Sequence, residues 1–189
     1  NPLRLAEFTL SRKVPEYVGR AKVVQEYEKA RQHWLDTGAD QVAAQRGFPD
    51  DLSDAGFMKA TGLGSLVFAI KPGDGSAREQ AASCQRVLGG DANVAREYAT
   101  KRYRSNLINW GIIPFIVDEQ DQDRLDVGDL LLIRGIRTAV ISNADRIEAE
   151  IRRGDTHEKI TLLLANLSEA ERRILLSGCL INFYGEENV

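Results

Sequence analysis

The sequence predicts a mixed α/β domain whose first strands pair in parallel and whose later strands pair antiparallel. Short apolar runs at residues 66–70 and 112–117 are separated by helical patterns, which provide crossovers long enough for parallel pairing. Further strand patterns at residues 129–134, 146–151 and 159–164 are separated by turn-forming residues such as Gly and Asp, which favours antiparallel pairing. Two Ser-x-x-Glu patterns mark helix starts among these segments.

The first third of the chain predicts one long helix followed by a loop. Over residues 16–35 apolar side chains recur at three-to-four spacing, which is typical of an amphipathic helix, and Gly38 is a typical helix end. Residues 47–64 are rich in Gly, Asp and Pro, so they predict a connecting loop with room for one short helix.

Two helical crossovers are predicted in the centre of the chain. We expect a helix over residues 76–88 to begin at Ser76, because Ser76 and Glu79 form a capping-box pattern. A strand over residues 93–98 and a helix over residues 101–110 follow.

The last third predicts strands and a closing helix. Residues 118–126 form an acidic loop that we interpret as solvated. Ser168 and Glu171 repeat the capping-box pattern, so we expect one helix from there through Leu180.

Composition and charge argue against two classes of partner. Of the 189 residues, 43% are hydrophobic and 28% are charged, as in ordinary globular domains. The net charge of −3 argues against a general nucleic-acid binder, and we interpret the basic cluster at Lys101, Arg102 and Arg104 as a solvated helix face. No apolar run approaches the roughly 20 residues of a membrane span, so we expect no membrane partner either.

Cysteine and histidine are scarce. The chain holds Cys84, Cys179, His33 and His157, none of them closely spaced, which argues against a zinc or iron–sulfur centre built by this chain alone. Two distant cysteines without a secretory signal pattern predict buried thiols in a cytoplasmic protein.

The segment KPGDGSAREQAASCQ, residues 71–85, joins a strand to a helix through two glycines. A helix start presents unpaired backbone N–H groups and the positive end of the helix dipole, so it attracts anions. Arg78 adds a guanidinium suited to a carboxylate or phosphate. The same positive field would stabilise an alkoxide, which makes Ser76 a candidate base or nucleophile.

A second interpretation of this segment stays open. Turn and cap chemistry alone, with Arg78 on the surface, explains the same spacing. The segment fits neither a dinucleotide fingerprint nor a P-loop, because it lacks a third glycine and a Gly-Lys-Ser/Thr ending. Spacing by itself therefore predicts an anion site only as one of two hypotheses.

Three blocks in order resemble the C-terminal swivel domain of the aconitase superfamily: GDGSAREQAA, VLGG and YATKRYRSNLINWGIIPF. That family has a Gly-x-Gly-Ser-Ser-Arg-Glu-His-Ala segment, a Leu-Gly-Gly turn, and a helix with Asn-Leu that ends in Gly-x-x-Pro. The residues in register are Gly73, Gly75, Ser76, Arg78, Glu79, Ala81, Leu88, Gly89, Gly90, Asn106, Leu107, Gly111 and Pro114. The Ser-Ala-Arg-Glu-Gln variant resembles bacterial aconitase-like hydratases most closely.

The resemblance implies a fold and a division of the chain. It implies a three-layer β/β/α swivel domain with a partly open barrel over residues 63–189. Residues 1–62, for which the family motifs show no counterpart, are then a helical extension packed on that domain.

The resemblance also implies a hydro-lyase that reversibly dehydrates a hydroxy di- or tricarboxylic acid. Ser76 matches the serine that takes or returns the carbon-bound proton, and Arg78 matches an arginine that holds a substrate carboxylate. Backbone groups around Gly75 and Ala77 would bind the same anionic end. The family's [4Fe–4S] cluster, a Lewis acid for the leaving hydroxyl, is held by three cysteines on other domains. The expected partners are therefore cluster-bearing domains, in the same or a separate polypeptide, and this chain alone should be inactive.

Departures from the family pattern support an alternative. The family's second serine is Ala77 here, the following histidine is Gln80, and Arg20 is the nearest match to a second substrate-binding arginine. The alternative hypothesis is a non-catalytic module of the same fold that binds a carboxylate or a phosphate.

Overall fold

A computed structural model describes residues 1–12, 14–164 and 166–187. The helices in these ranges are α1 (Pro2–Ser11), α2 (Pro15–Thr37), α3 (Gln41–Gln45), α4 (Ala55–Ala60), α5 (Arg78–Val87), α6 (Lys101–Asn109), α7 (Ile136–Ile141), α8 (Glu169–Leu176) and α9 (Leu180–Glu187). The strands are β1 (Ser65–Ala69), β2 (Gly90–Ala95), β3 (Ile113–Val117), β4 (Leu130–Leu132), β5 (Arg146–Arg153) and β6 (Thr156–Leu163). Within the described ranges no helix combines the length and the apolar character needed to cross a membrane.

The chain forms two compact units. The first takes residues 1–65 and 84–91, and the second takes residues 66–83 and 92–189. The chain passes between the two units more than once. The predicted division into residues 1–62 and 63–189 stays a prediction.

Helix α2 organises the first unit. It starts with Pro15 in its first turn and ends at Gly38 (φ 74°), whose N–H donates to the Trp34 carbonyl at 2.8 Å. The predicted stop at Gly38 is therefore confirmed. Helix α1 was missed, because Leu5 and Phe8 are exposed and only Ala6 is fully buried, so its apolar residues do not follow one stripe.

A buried arginine holds the connecting loop of the first unit on α2. Arg31 donates from Nε and Nη2 to the Glu28 carboxylate at 2.8 and 2.6 Å, and from Nη1 to the Met58 carbonyl at 2.9 Å. The Glu28 carboxylate also accepts the Leu63 N–H at 2.9 Å. Burial by itself would raise the pKa of Glu28, but the hydrogen bonds from Arg31, Gln32 and Leu63 outweigh it and hold that pKa below 4.5.

The second unit is built on one sheet of six strands in the order β1-β2-β3-β6-β5-β4. Strands β2 and β3 are parallel, with Ala92 opposite Ile113. Strands β3 and β6, β6 and β5, and β5 and β4 are antiparallel. Since β1 and β4 lie at opposite edges, the sheet does not close. The predicted mixed α/β class, with an antiparallel later half, is confirmed.

The core of the second unit joins the sheet to its later helices. Its buried side chains come from strands β2, β3, β5 and β6 and from helices α6, α8 and α9; they include Val94, Ile108, Phe115, Ile151, Leu162, Ile174 and Phe183. In β6 the buried positions Ile160 and Leu162 alternate with less buried ones, whereas β3 is apolar throughout.

Several predicted boundaries need correction. Helix α5 begins at Arg78 rather than Ser76, and β2 begins at Gly90 rather than residue 93. The C-terminal helix is two helices, because the chain adopts φ 88° at Gly178. The acidic loop contains a 3₁₀ turn over Glu119–Arg124, and the short helix α7 was not predicted. The Ser168 capping box is confirmed.

We expect Glu28→Gln to lower the free energy of unfolding at neutral pH by about 2–3 kcal/mol, because it leaves a buried guanidinium without its counter-charge. A carboxyl whose folded pKa is depressed contributes stability above its unfolded pKa, and this contribution is lost as pH falls through the folded pKa. The advantage of the unsubstituted chain over Glu28→Gln should therefore shrink as pH falls below 4.5. Chemical denaturation over a pH series measures both effects.

The matched control is Glu26→Gln on the same helix. Glu26 and Lys29 form an exposed pair at 2.6 Å, so its loss should change stability by less than about 0.5 kcal/mol. Equal losses for the two variants would contradict the role of Glu28.

Candidate functional site

The loop between β1 and α5 is tied down at Gly73. The Gly73 carbonyl accepts hydrogen bonds from Thr100 Oγ1 and Arg78 Nε, both at 3.1 Å. Just before it, the Pro72 carbonyl accepts the Ala99 N–H at 2.9 Å. The chain that leaves β1 is therefore fixed by the chain that enters α6.

Gly73 also packs directly on Tyr103 of α6. A Cβ built at Gly73 would lie 2.5 Å from Tyr103 Cβ and Cδ1, and the backbone there has φ 98°, which L residues rarely adopt. The buried Asn93 side chain donates from Nδ2 to Tyr103 Oη at 3.1 Å. Burial raises the pKa of Tyr103, and the Asn93 hydrogen bond offsets this only in part, so the phenol stays neutral and acts as a fixed wall.

The start of α5 is held by side chains rather than by the predicted capping box. Helix α5 begins after Ser76, and the Glu79 carboxylate points to α6 instead of back along its own chain. With the Asn106 carboxamide assigned the orientation in which its donors face acceptors, Oδ1 accepts the Glu79 N–H at 3.0 Å and Nδ2 donates to Glu79 Oε2 at 3.2 Å. Trp110 Nε1 donates to Glu79 Oε1. The prediction that Ser76 caps the helix is therefore wrong, and its hydroxyl is not used as a cap.

Between these anchors lies a hollow of about 200 Å³ lined by Gly73, Gly75, Ala77, Arg78, Ala81 and Tyr103. Gly75, Ser76 and Ala77 are exposed, and Arg78 is half-buried. Three of the four predicted site residues line the hollow, whereas Ser76 lies on the same loop between Gly75 and Ala77 without lining it.

The guanidinium of Arg78 is only partly used by hydrogen bonds. Its Nε is used by the Gly73 carbonyl, but within the described ranges no carboxylate pairs with its guanidinium. A guanidinium at a helix start, without a counter-ion, suits a carboxylate or a phosphate. The arrangement therefore favours the anion-site hypothesis over a turn with a purely structural arginine.

The predicted basic cluster does not form one surface. Arg104 pairs with Glu171 at 3.1 Å and donates to the Asn166 carbonyl at 2.8 Å, so it ties α6 to the start of α8. Lys101 and Arg102 are exposed, as predicted for a solvated face.

In the part of the chain that the structure describes, the two cysteines do not come together in a cluster site. Cys84 is buried and Cys179 is partly buried, and both are free thiols. Thus the prediction of buried thiols holds for Cys84 only. Across residues 1–12, 14–164 and 166–187, no group of three or more His, Cys, Asp or Glu side chains is placed to hold a metal ion. The donor set of this chain does not fit a cluster.

Sequence reasoning missed the roles of Asn106, Trp110 and Tyr103. Asn106 was matched to a family motif without a function, and neither Trp110 nor Tyr103 was assigned one. The sequence did contain one signal for these roles. Thr100, Tyr103, Asn106 and Trp110 are spaced by three, three and four residues, which places them on one face of a helix.

Comparison with known proteins agrees with the motifs. The aconitase C-terminal domain family matches residues 24–120. This chain belongs to that family. The match extends upstream of residue 62, into a region for which the sequence motifs showed no counterpart.

Several individual proteins are similar to this chain. A putative mitochondrial aconitate hydratase of Emericella nidulans is 31% identical over 147 residues, which are 76% of this chain and 18% of that protein. A methanogen homoaconitase small subunit of Methanocaldococcus jannaschii is 31% identical over 131 residues, 69% of this chain and 67% of that one. A solved structure of 3-isopropylmalate dehydratase from the same organism covers 82% of this chain and 83% of its own, with 24% identity and a TM-score of 0.48. The chain thus spans about a fifth of the fungal relative's length.

We expect Gly73→Ala to lower the free energy of unfolding by about 2–4 kcal/mol, because it adds both a strained φ and a clash with Tyr103. Gly75→Ala is the matched control in the same loop, since no atom lies within 4 Å of a Cβ built there. Its stability should change by less than about 0.5 kcal/mol. Chemical denaturation measures the stability of both variants, and equal stability would contradict the close packing of Gly73 on Tyr103.

Proposed function

We propose that this chain is the swivel domain of an aconitase-like hydro-lyase that reversibly dehydrates a hydroxy di- or tricarboxylic acid. The observation that carries the proposal is an unpaired guanidinium, Arg78, next to an uncommitted hydroxyl, Ser76, at a helix start. Membership of the aconitase C-terminal domain family supports it. So do the relatives, which are named as aconitate hydratase and homoaconitase small subunit.

In the proposed mechanism, one end of the substrate is bound as an anion. Arg78 takes a substrate carboxylate through its two Nη groups, while its Nε remains on the Gly73 carbonyl. Backbone groups at Gly75 and Ala77 bind the same carboxylate, and the neutral Tyr103 ring limits how deep it can enter.

Ser76 then handles the proton. Its Oγ, as an alkoxide, takes the proton from the substrate carbon, and the electron pair of that C–H bond becomes part of the new C=C bond. The hydroxyl leaves from the neighbouring carbon, and in the hydration direction Ser76 returns the proton. A serine alkoxide near neutral pH requires a strong positive field, which Arg78 and the start of α5 supply.

The proposed assembly is larger than this chain. We place the [4Fe–4S] cluster on partner domains, in the same or a separate polypeptide, because this chain contains only two cysteines. The chain spans 18% of the fungal relative, which supports the presence of further domains outside this chain in the assembly. A cytoplasmic location is part of the proposal and is supported by the free thiols of Cys84 and Cys179.

A non-catalytic module that binds a carboxylate or phosphate is the second candidate. Ala77 favours it, because a methyl group lines the hollow where the family places a second serine hydroxyl. The same methyl group would change the range of acids that an active enzyme accepts.

We expect Ser76→Ala to lower kcat by about a thousandfold or more, because it removes the base. The assay uses the complete parent assembly with its cluster reconstituted without oxygen, and it follows alkene formation from a panel of hydroxy di- and tricarboxylic acids. Ser83→Ala is the matched control, since the Ser83 hydroxyl is a local donor to the Gln80 carbonyl on the same helix. Its kcat should change less than about twofold.

We expect Arg78→Gln to raise KM about 10- to 100-fold, because a charged hydrogen bond to the substrate is lost. Arg102→Gln, which removes an exposed arginine of α6, should leave KM within about twofold. No turnover of any acid by the complete assembly, together with binding of inorganic phosphate or citrate that Arg78→Gln abolishes, would support the binding module and overturn the enzyme.

A further inference from the structure

We propose that Asn106 is a positioning residue that fixes the start of α5, and through it Ser76 and Arg78. This inference rests on the proposed function, because it assigns a role in that site. Asn106 does not line the hollow, so it acts only through the loop.

One face of α6 holds the whole loop. Thr100, the N-cap of α6, donates to the Gly73 carbonyl at 3.1 Å, and Tyr103 packs on Gly73. Three residues further along the helix, Asn106 holds Glu79, and Trp110 adds a second donor one turn later. Thus both ends of the loop, Gly73 and Glu79, rest on the same stripe of a single helix.

Asn106 makes a two-point contact with Glu79 that no other side chain type on α6 offers. A carboxamide carries an acceptor and a donor on one side chain, and here both are used on one partner. Its Oδ1 accepts the Glu79 N–H, an amide of the first turn that has no partner within its own helix, and its Nδ2 donates to the Glu79 carboxylate at 3.2 Å. The same Nδ2 lies 3.2 Å from the Arg102 carbonyl, which sets its direction.

The position of Glu79 determines the position of the reacting groups. Arg78 precedes Glu79 directly, and its Nε is bound to the other anchor, Gly73. Only residues 74–77 lie between Gly73 and Arg78, so the backbone there has little room to compensate if Glu79 moves. Displacement of a reacting group by about 1 Å can cost about a hundredfold in rate.

Exchanging the hydrogen-bond donor and acceptor between positions 106 and 79 distinguishes a positioning role of Asn106 from simple packing. Asn106→Asp keeps the acceptor for the Glu79 N–H, but it places a carboxylate against the Glu79 carboxylate. In the double variant Asn106→Asp with Glu79→Gln, the new amide at position 79 can donate to the new carboxylate at position 106. The oxygen of the new amide can still accept from Trp110. The contact with the Arg102 carbonyl is lost, and a carboxylate oxygen faces that carbonyl in both the single and the double variant.

The experiment measures both activity and loop order in the complete, cluster-loaded assembly. We expect Asn106→Asp to lower kcat at least about tenfold, and the double variant to recover to within about threefold of the unsubstituted enzyme. Glu79→Gln completes the cycle. Asn109→Asp, the same chemical change three residues along α6, is the matched control and should lower kcat less than about twofold. Hydrogen exchange of the peptide spanning residues 73–80 should accelerate in Asn106→Asp and return in the double variant.

The outcomes separate the two proposals. If the double variant is no better than Asn106→Asp, or if exchange over residues 73–80 does not change, the positioning role is overturned. If the unsubstituted assembly turns over no acid at all, the proposed function fails. Hydrogen exchange still decides the role of Asn106 in that case, because it does not depend on turnover.

Discussion

The candidate site in the second unit depends on the hydrogen bonds that hold the backbone of the loop between β1 and α5. Residues 73–77 belong to no strand or helix, and the first N–H groups of α5 have no partner within that helix, yet an unpaired backbone group away from water is costly. Side chains of α6 meet this requirement: Thr100 bonds the Gly73 carbonyl, and Asn106 bonds the Glu79 N–H. Arg78 closes the loop on itself through Gly73. The shape of the hollow follows from these few contacts.

This arrangement explains why an arginine is tolerated in the first turn of a helix. A positive side chain there opposes the helix dipole, and nearby carboxylates would normally neutralise it. Glu79, the adjacent carboxylate, is instead held by Asn106 and Trp110, so it is kept away from Arg78. The local structure therefore preserves positive charge at the start of α5.

In the first unit a buried arginine, Arg31, has a structural role. Arg31 and Glu28 satisfy each other and hold the loop that carries Met58 and Leu63, so no charge remains for a ligand. Each unit thus has an arginine that donates to a backbone carbonyl, buried at Arg31 and half-buried at Arg78. They differ in whether a carboxylate completes the guanidinium, and this difference separates a structural arginine from a candidate binding one.

The sequence by itself determined the α/β class, the family and the loop that carries Arg78, together with the approximate positions of the strands. Those features depend on local periodicity, on glycines and on capping residues, which are all properties of short segments. The tertiary structure decided how the loop is held. Ser76 and Glu79 fit a capping box locally, but Glu79 finds stronger partners on α6, about thirty residues away in sequence, and the helix begins at Arg78 instead. Local pattern cannot reveal this, because the competing donors become neighbours only after β1, β2 and β3 have aligned α5 beside α6.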